Sequence, residues 1–365
     1  MRIAQISPLY ESVPPKLYGG TERVVSYLTE ELVRLGHEVT LFASGDSLTS
    51  ARLVPCSATA TRLSKTIEDP AIYHTIMLDR IAHMAHEFDI LHFHTNYIHF
   101  PLFRRMAKRT VTTLHGRVDL PDVPALYGQF NDMPLVSISD DQRRALPHAH
   151  WVETIYHGLP KNLLPFNPQP NGYLAFLGRM SADKRPDRAI EIALRCGLPL
   201  KMAAKIDKDD QPYFDRVIKP RLDHPLIEFV GEINERQKAD FLGGALALLF
   251  PIDWPEPFGV VMIEAMSCGT PVIAWPNGSV REVIDHGISG YHVTSIEEAV
   301  NAVNLCLRLN RHRVRETFEK RFTSQRMAQS YLDLYSKSLD SLPRAATPPL
   351  RPRKPEVFSA VPGKL

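Results

Sequence analysis

Three short segments carry residues whose type and spacing suit chemistry on a charged, hydroxylated ligand. The first is Glu256-Pro-Phe-Gly-Val-Val-Met-Ile-Glu264. An apolar strand ending near Pro251 precedes it, and a helix is expected from Gly259. Pro257 suits the entrance, where a missing N–H costs nothing. Gly259 lets a ligand approach the backbone, and the free amides of the first turn, Phe258 to Val260 and Val261, form an anion site. Glu256 stands at the mouth and Glu264 lies about a turn and a half further in, at roughly 1.5 Å per residue. Each carboxylate can accept from a pair of vicinal hydroxyls. The arrangement suits a sugar at one end, a ribose at the other and phosphates between. The same residues also read as an ordinary helix with acidic side chains near its positive end.

The second segment is Phe176-Leu-Gly-Arg-Met-Ser-Ala-Asp-Lys184, at the end of a strand. Arg179 as a bidentate fork and Lys184 as a point charge could clamp a diphosphate; a solvated charged loop is the alternative. It is not a Walker A loop, since the glycine spacing and the following Ser or Thr are missing. The third is Tyr18-Gly-Gly-Thr-Glu22, between a strand and a helix, where Gly19 and Gly20 allow a tight turn and close backbone approach. G-x-G-x-x-G is absent, so a dinucleotide site is weakly supported.

Histidines crowd the first half of the chain. His92 and His94 fall on one face of a strand, and His115 ends another in Thr-Thr-Leu-His-Gly, aimed at a cleft. With His99 nearby a metal site is conceivable, but no H-E-x-x-H occurs and no carboxylate sits at ligand spacing. No metal is expected. Residues 102–109 could form a basic amphipathic helix making weak peripheral contact with anionic lipid, or a plain solvated helix face.

Positioning these groups requires alternating strands and helices. Strands are expected at 2–7, 39–43, 90–94, 110–115, 135–139 and 151–156, then at 173–177, 200–206, 227–230, 246–252, 271–275 and 291–293. Helices fit at 22–35, 186–196, 235–242, 259–267 and 296–309. Brief apolar strands between helices signal a parallel sheet covered on both faces. Residues 160–172 hold four prolines and read as a linker between two such halves. Open parallel sheets bind ligands beyond the carboxyl ends of their strands, which puts the site in the cleft between the halves.

The composition narrows the classes. At 365 residues the chain is long enough for two domains, and 44% hydrophobic content can fill their cores. The net charge is +2, but residues 343–365 hold six prolines and a surplus of four positive charges, which leaves −2 on the remainder. A near-neutral body argues against nucleic acid as partner. No apolar run approaches the ~20 residues of a membrane span. Four scattered cysteines and a first strand at the amino terminus point to a cytoplasmic protein with reduced thiols. Oligomeric state is not readable.

In combination the segments resemble the retaining glycosyltransferases of family 4, over the chain up to about residue 340. "EPFGVVMIEAMSCGTPVIA" matches the family's E-x7-E element, "FLGRMSADK" its phosphate clamp, "GGTE" its glycine-rich loop, "DILHFH" its HxH strand and "TLHG" its cleft histidine. Departures are His157-Gly-Leu-Pro160 for Asn-Gly-Val-Asp, Arg185 after the clamp lysine, Gly278-Ser-Val-Arg-Glu282 for Gly-Gly-x-x-Glu, and Lys205 near the nucleotide. The resemblance implies a GT-B architecture: an acceptor domain at 1–160, a linker at 161–172, a nucleotide-sugar domain at 173–323, and a helix at 324–342 crossing back. The Pro-rich tail at 343–365 lies beyond the resemblance; its disorder is expected from its prolines and charge. The resemblance implies metal-independent transfer, with retention, from a UDP-sugar, or alternatively a GDP-sugar, to a hydroxyl acceptor. By resemblance His115 and Glu256 contact the donor sugar, Arg179 and Lys184 hold the diphosphate, and Glu264 takes the ribose. Gly19, Gly20, Phe258, Gly259, Val260 and Val261 then lie near the phosphates or sugar. A sugar-nucleotide epimerase or other GT-B enzyme, or a catalytically silent nucleotide-sugar-binding module, are the alternatives. Acceptor contacts are expected in the loops at 47–70 and 117–133.

Overall fold

The computed structural model of the protein describes residues 1–16, 19–62 and 64–341; Tyr18 and the tail at 343–365 lie outside the described residues. Among the described residues thirteen strands form two sheets, parallel throughout. The first sheet contains β1 (Arg2–Ile6), β2 (Glu38–Ser44), β3 (Arg52–Ser57), β4 (Ile90–Phe93), β5 (Thr110–Thr113), β6 (Leu135–Ser137) and β7 (Trp151–Thr154), in the order β3-β2-β1-β4-β5-β6-β7. The second contains β8 (Tyr173–Arg179), β9 (Leu200–Lys205), β10 (Ile227–Gly231), β11 (Ala245–Phe250), β12 (Val272–Ala274) and β13 (Gly290–His292), in the order β10-β9-β8-β11-β12-β13. In both, the order reverses beside the first strand of the half, the place where an open sheet leaves a crevice at its carboxyl edge.

The central strands read as continuous apolar runs because helices bury both faces. Ala245-Leu-Ala-Leu-Leu-Phe250 is buried but for Leu246. One apolar core runs from Ile3, Leu28 and Ile90 of the first half through Phe258 and Phe322 to Leu248 and Val272 of the second. The helix Ser324–Asp340 belongs to this core through Tyr331 and Tyr335 and packs on the helix Gly20–Arg34. Thr323 caps it, accepting from the Arg326 amide at 3.3 Å. Leu159 ties this crossing point down: its amide donates to Phe322 O at 2.9 Å and its carbonyl accepts from Ser324 N at 2.8 Å.

Three stretches differ from the sequence expectation. β3 lies within the stretch at 47–70 that is expected as a loop, and the helix Pro70–Met84, where no element is expected, follows it. Pro55 hides β3 from a strand search, yet β3 is an edge strand, where a missing donor is tolerated. In the stretch at 117–133, the helix Val123–Gln129 packs Tyr127 against Phe100. The expected basic helix at 102–109 is instead one α-turn, Phe100–Phe103, followed by a 3-10 segment, Arg104–Arg109. Two such pieces form no sustained amphipathic stripe. Among the described residues no helix is long and apolar enough to cross a membrane.

Candidate active site

A cavity of about 640 Å³ lies between the carboxyl edges of the two sheets. All eleven residues singled out for the donor line it. Gly19, Gly20 and His115 stand on the first-sheet side. Arg179, Lys184, Glu256, Phe258, Gly259, Val260, Val261 and Glu264 stand on the other.

Glu256 and Glu264 flank a helix entrance built as the spacing predicts. The helix is Val260–Ser267, with Gly259 as its N-cap at φ +75°, a left-handed conformation that favours glycine. A Cβ there would come within 2.8 Å of Met262 Cε and 3.2 Å of the Phe250 ring. Glu256 is set by a residue not expected to act on it. Gly278, at φ +62°, lies against the Glu256 backbone so closely that a Cβ would overlap its N and O atoms. Ser279 then locks the loop, its amide donating to Glu256 O at 2.9 Å and its hydroxyl to Phe258 O at 2.8 Å. The only sequence signal for this was the unusual Gly278-Ser-Val-Arg-Glu282 run.

The charged groups are paired across this wall. Lys184 forms an ion pair with Glu256 and stands 4.8 Å from the Trp254 ring centroid. Arg179 reaches Asp183 at 3.2 Å and Asp210 at 3.4 Å. Glu264, almost fully buried, holds Lys238 at 2.6 Å. Lys205 lies opposite Arg179 in the β8–β9 register and pairs with Asp207. Burial pushes the Asp210 carboxyl above the ordinary carboxylate range. The Arg179–Lys184 loop is therefore not a bare positive patch, since both cations are already paired with carboxylates.

The histidines form a chain rather than a metal cradle. Gln5 Oε1 can only accept, so the proton of the His94–Gln5 bond (2.8 Å) sits on His94 Nε2. His94 Nδ1 must then accept from His115 Nε2, at 2.8 Å. His115 Nδ1 in turn faces His157 Nε2 at 3.4 Å, with the two rings stacked. His92 bonds Tyr335 at 2.6 Å and Thr113 at 2.8 Å, which ties the helix Ser324–Asp340 to the same network. Burial drives His115 down to about 3 and holds His92, His94 and His157 well below the usual imidazole range. All four are neutral at neutral pH. His99, expected near His115, points the other way, stacked on Phe93 and bonded to Thr112. Among the described residues no group of three or more His, Cys, Asp or Glu could hold a metal ion.

The two halves are latched beside the cavity. Glu235 of the second half pairs with Arg23 and accepts from the Tyr27 hydroxyl at 2.8 Å. Glu282 accepts from the Asp140 and Asp141 amides at 2.7 Å each and from the Tyr156 hydroxyl at 3.1 Å.

Comparison with known proteins bears on the family and the fold. Residues 18–157 match the family described as Glycosyltransferase Family 4, and residues 165–321 that described as Glycosyl transferases group 1. The chain is 24% identical over 351 residues to the phosphatidyl-myo-inositol mannosyltransferase of Mycobacterium leprae, covering 87% of this chain and 90% of that protein. A stretch of 92 residues is 39% identical to the "Probable sucrose-phosphate synthase" of Thermosipho melanesiensis, covering 24% of this chain and only 22% of that one. Among solved structures, the sucrose-phosphate synthase from Thermosynechococcus elongatus superposes with a TM-score of 0.76 at 17% identity, over 93% of this chain and 100% of that chain. HepE from Anabaena, solved with UDP and glucose, gives 0.70 at 18% identity, over 94% and 100%. At these identities the structural likeness establishes the fold. With two parallel-sheet halves facing one cleft and both family matches in register with them, the chain belongs to glycosyltransferase family 4 and has the GT-B architecture of that family.

Proposed function

We propose that the protein transfers a hexosyl group from a nucleotide diphosphate sugar, a UDP-sugar in the first instance, to a hydroxyl acceptor with retention at the anomeric carbon. The observation that carries this reading is the convergence of Glu256, Glu264, Arg179, Lys184 and the Gly259 helix entrance on one cavity of about 640 Å³. The UDP complexes of HepE favour UDP over GDP as donor.

In this reading Glu264 holds the ribose, Glu256 the sugar hydroxyls, and Arg179, Lys184 and the amides of the helix entrance the diphosphate. The C1–O bond to the diphosphate breaks, and negative charge builds on the leaving oxygen. Preorganised donors and cations stabilise that charge and supply the work a divalent metal would otherwise do. The acceptor oxygen bonds to C1 on the face just vacated, and its proton passes to the leaving phosphate oxygen. His115 contacts the sugar near C1. Its neutrality matters there, since an imidazolium would oppose the positive charge developing on the oxocarbenium-like carbon. Lys184 exchanges its Glu256 partner for phosphate, which frees that carboxylate for the sugar. The test is the anomeric configuration of the first-formed product, read from its proton–proton coupling by NMR. An α-linked product from an α-linked donor supports the reading, and a β-linked product overturns it.

A further inference from the structure

The residue after Lys184 is held in a strained conformation. Among the described residues, Asn96 and Arg185 are the two non-glycine positions with positive φ, and Arg185 stands at φ +53° and ψ +51°. Asparagine tolerates that region through its short polar side chain; arginine does not. Pro186 follows, and a proline pushes the residue before it towards extended backbone. Glycine would take the turn freely. Strain of this kind persists where surrounding contacts over-determine the residue, and here those contacts can be named. The Arg185 guanidinium donates to Asp187 from Nε at 2.9 Å and from Nη2 at 2.8 Å, and to Asp253 Oδ2 from Nη1 at 2.9 Å. Tyr213 steadies Asp187, its hydroxyl donating to that carboxylate at 2.8 Å.

We infer that Arg185 is a positioning residue: through Asp253 it staples the loop carrying Lys184 to the loop carrying Glu256, so that Lys184 can exchange its carboxylate for the diphosphate while its backbone stays in place. The inference deepens the glycosyltransferase reading above and rests on it. Three adjacent rungs join the two loops. Asp253 N donates to Asp183 O at 2.8 Å. Lys184 stands over the Trp254 ring and pairs with Glu256. Arg185 closes the set on Asp253. The left-handed turn sends neighbouring side chains apart. Lys184, Trp254 and Glu256 are among the described residues that line the cavity, and Arg185, Asp187 and Asp253 are not. Arg185 therefore acts on the ligand only through its neighbours on that wall. The Asp187 fork steadies the helix entrance at Pro186. The Asp253 rung adds little stability, because that carboxylate is half exposed. What it supplies is geometry, to which a cation facing a developing negative charge is sensitive.

The test uses the full chain and probes that need no acceptor. They are the calorimetric Kd for UDP, the Kd for uridine, which lacks the diphosphate, and the rate of UDP release from UDP-glucose in water. Arg185→Gly keeps the left-handed turn and removes the staple. Asp253→Ala cuts the staple from its other end at a half-exposed side chain, so the test stands even where Arg185→Gly fails to fold. Each substitution should slow UDP release by about tenfold or more and raise the UDP Kd about threefold, while the uridine Kd moves less than about twofold. In a Lys184→Ala background the same substitutions should change UDP affinity and release by less than about twofold, because their route to the ligand is gone. UDP affinity and release within about twofold of the unmodified protein in the single variants overturn the inference. An equal loss with and without Lys184, or a loss of uridine equal to that of UDP, also overturns it, since either marks general damage to the fold. These outcomes leave the glycosyltransferase reading standing. An unmodified protein that binds no UDP overturns that reading itself, and the role of the staple with it.

Discussion

Gly278→Ala probes how the Glu256 carboxylate is positioned, without touching any group that meets the ligand. The added methyl would overlap the Glu256 backbone and stand 2.7 Å from the Pro255 carbonyl carbon, where ordinary contact begins at 3.4 Å. The loop bearing Glu256 must therefore yield by about 0.7 Å or more. A displacement near 1 Å in a positioned reacting group costs about 10²-fold in rate. The φ of +62° adds roughly 1–2 kcal/mol of strain for a non-glycine residue. Strain and displacement separate with a control: Gly287 has φ +77° and open space around its Cβ position, so Gly287→Ala carries the strain alone. Initial transfer rates and thermal melting are measured on both variants. The expected result is a larger loss of melting temperature in Gly278→Ala, which carries overlap as well as strain, with transfer falling about 10²-fold only in that variant. Transfer within threefold of the unmodified protein in a folded Gly278→Ala would refute the idea that this loop sets Glu256.

Arg179→Ala and Lys184→Ala should each lower transfer by ~10²-fold or more, as for loss of one transition-state donor, in steady-state assays at saturating donor. Chelation of divalent ions with EDTA should leave the rate within twofold, since the charges that balance the leaving group belong to the chain. The neutral histidines make stability fall on acidification. His115 titrates near 3 in the fold against about 6.5 unfolded, so between those values only the unfolded chain takes up its proton. Stability is complete above about 6.5 and drops by about 1.4 kcal/mol per pH unit for this group below it, read by urea denaturation from pH 7 to 4.5. Glu22 has the opposite sign: burial raises it to about 7, so its contribution is complete below the unfolded value of 4.5 and is lost as pH rises through 7. Glu22→Gln should therefore stabilise the protein at pH 8 by up to about 3 kcal/mol and little at pH 5.

Much of this site was legible in the sequence because its parts are local. The Gly259 helix entrance, the Arg179–Lys184 loop and the Gly19–Gly20 turn each sit within a few residues of a strand end. Apolar runs such as 245–250 mark those strands plainly. What stayed hidden depends on long-range contact. β3 carries a proline that only its edge position excuses. The Gly278-Ser-Val-Arg-Glu282 run stands out in the sequence, but only folding sets its glycine against Glu256, more than twenty residues away in the chain. The pairing of Lys184 with Glu256 and of Lys238 with Glu264 joins residues that sequence reading treats as separate charges. The histidine chain was glimpsed as a shared strand face, but its link from Tyr335 through Gln5 to His115 spans the whole polypeptide.

The most direct measurement is a crystal structure of the full chain with an intact UDP-sugar. The account predicts the diphosphate within about 3.2 Å of Arg179, Lys184 and the amides around Gly259, with Lys184 released from Glu256 and the ribose on Glu264. A nucleotide seated elsewhere, with the Lys184–Glu256 pair unbroken, would contradict it.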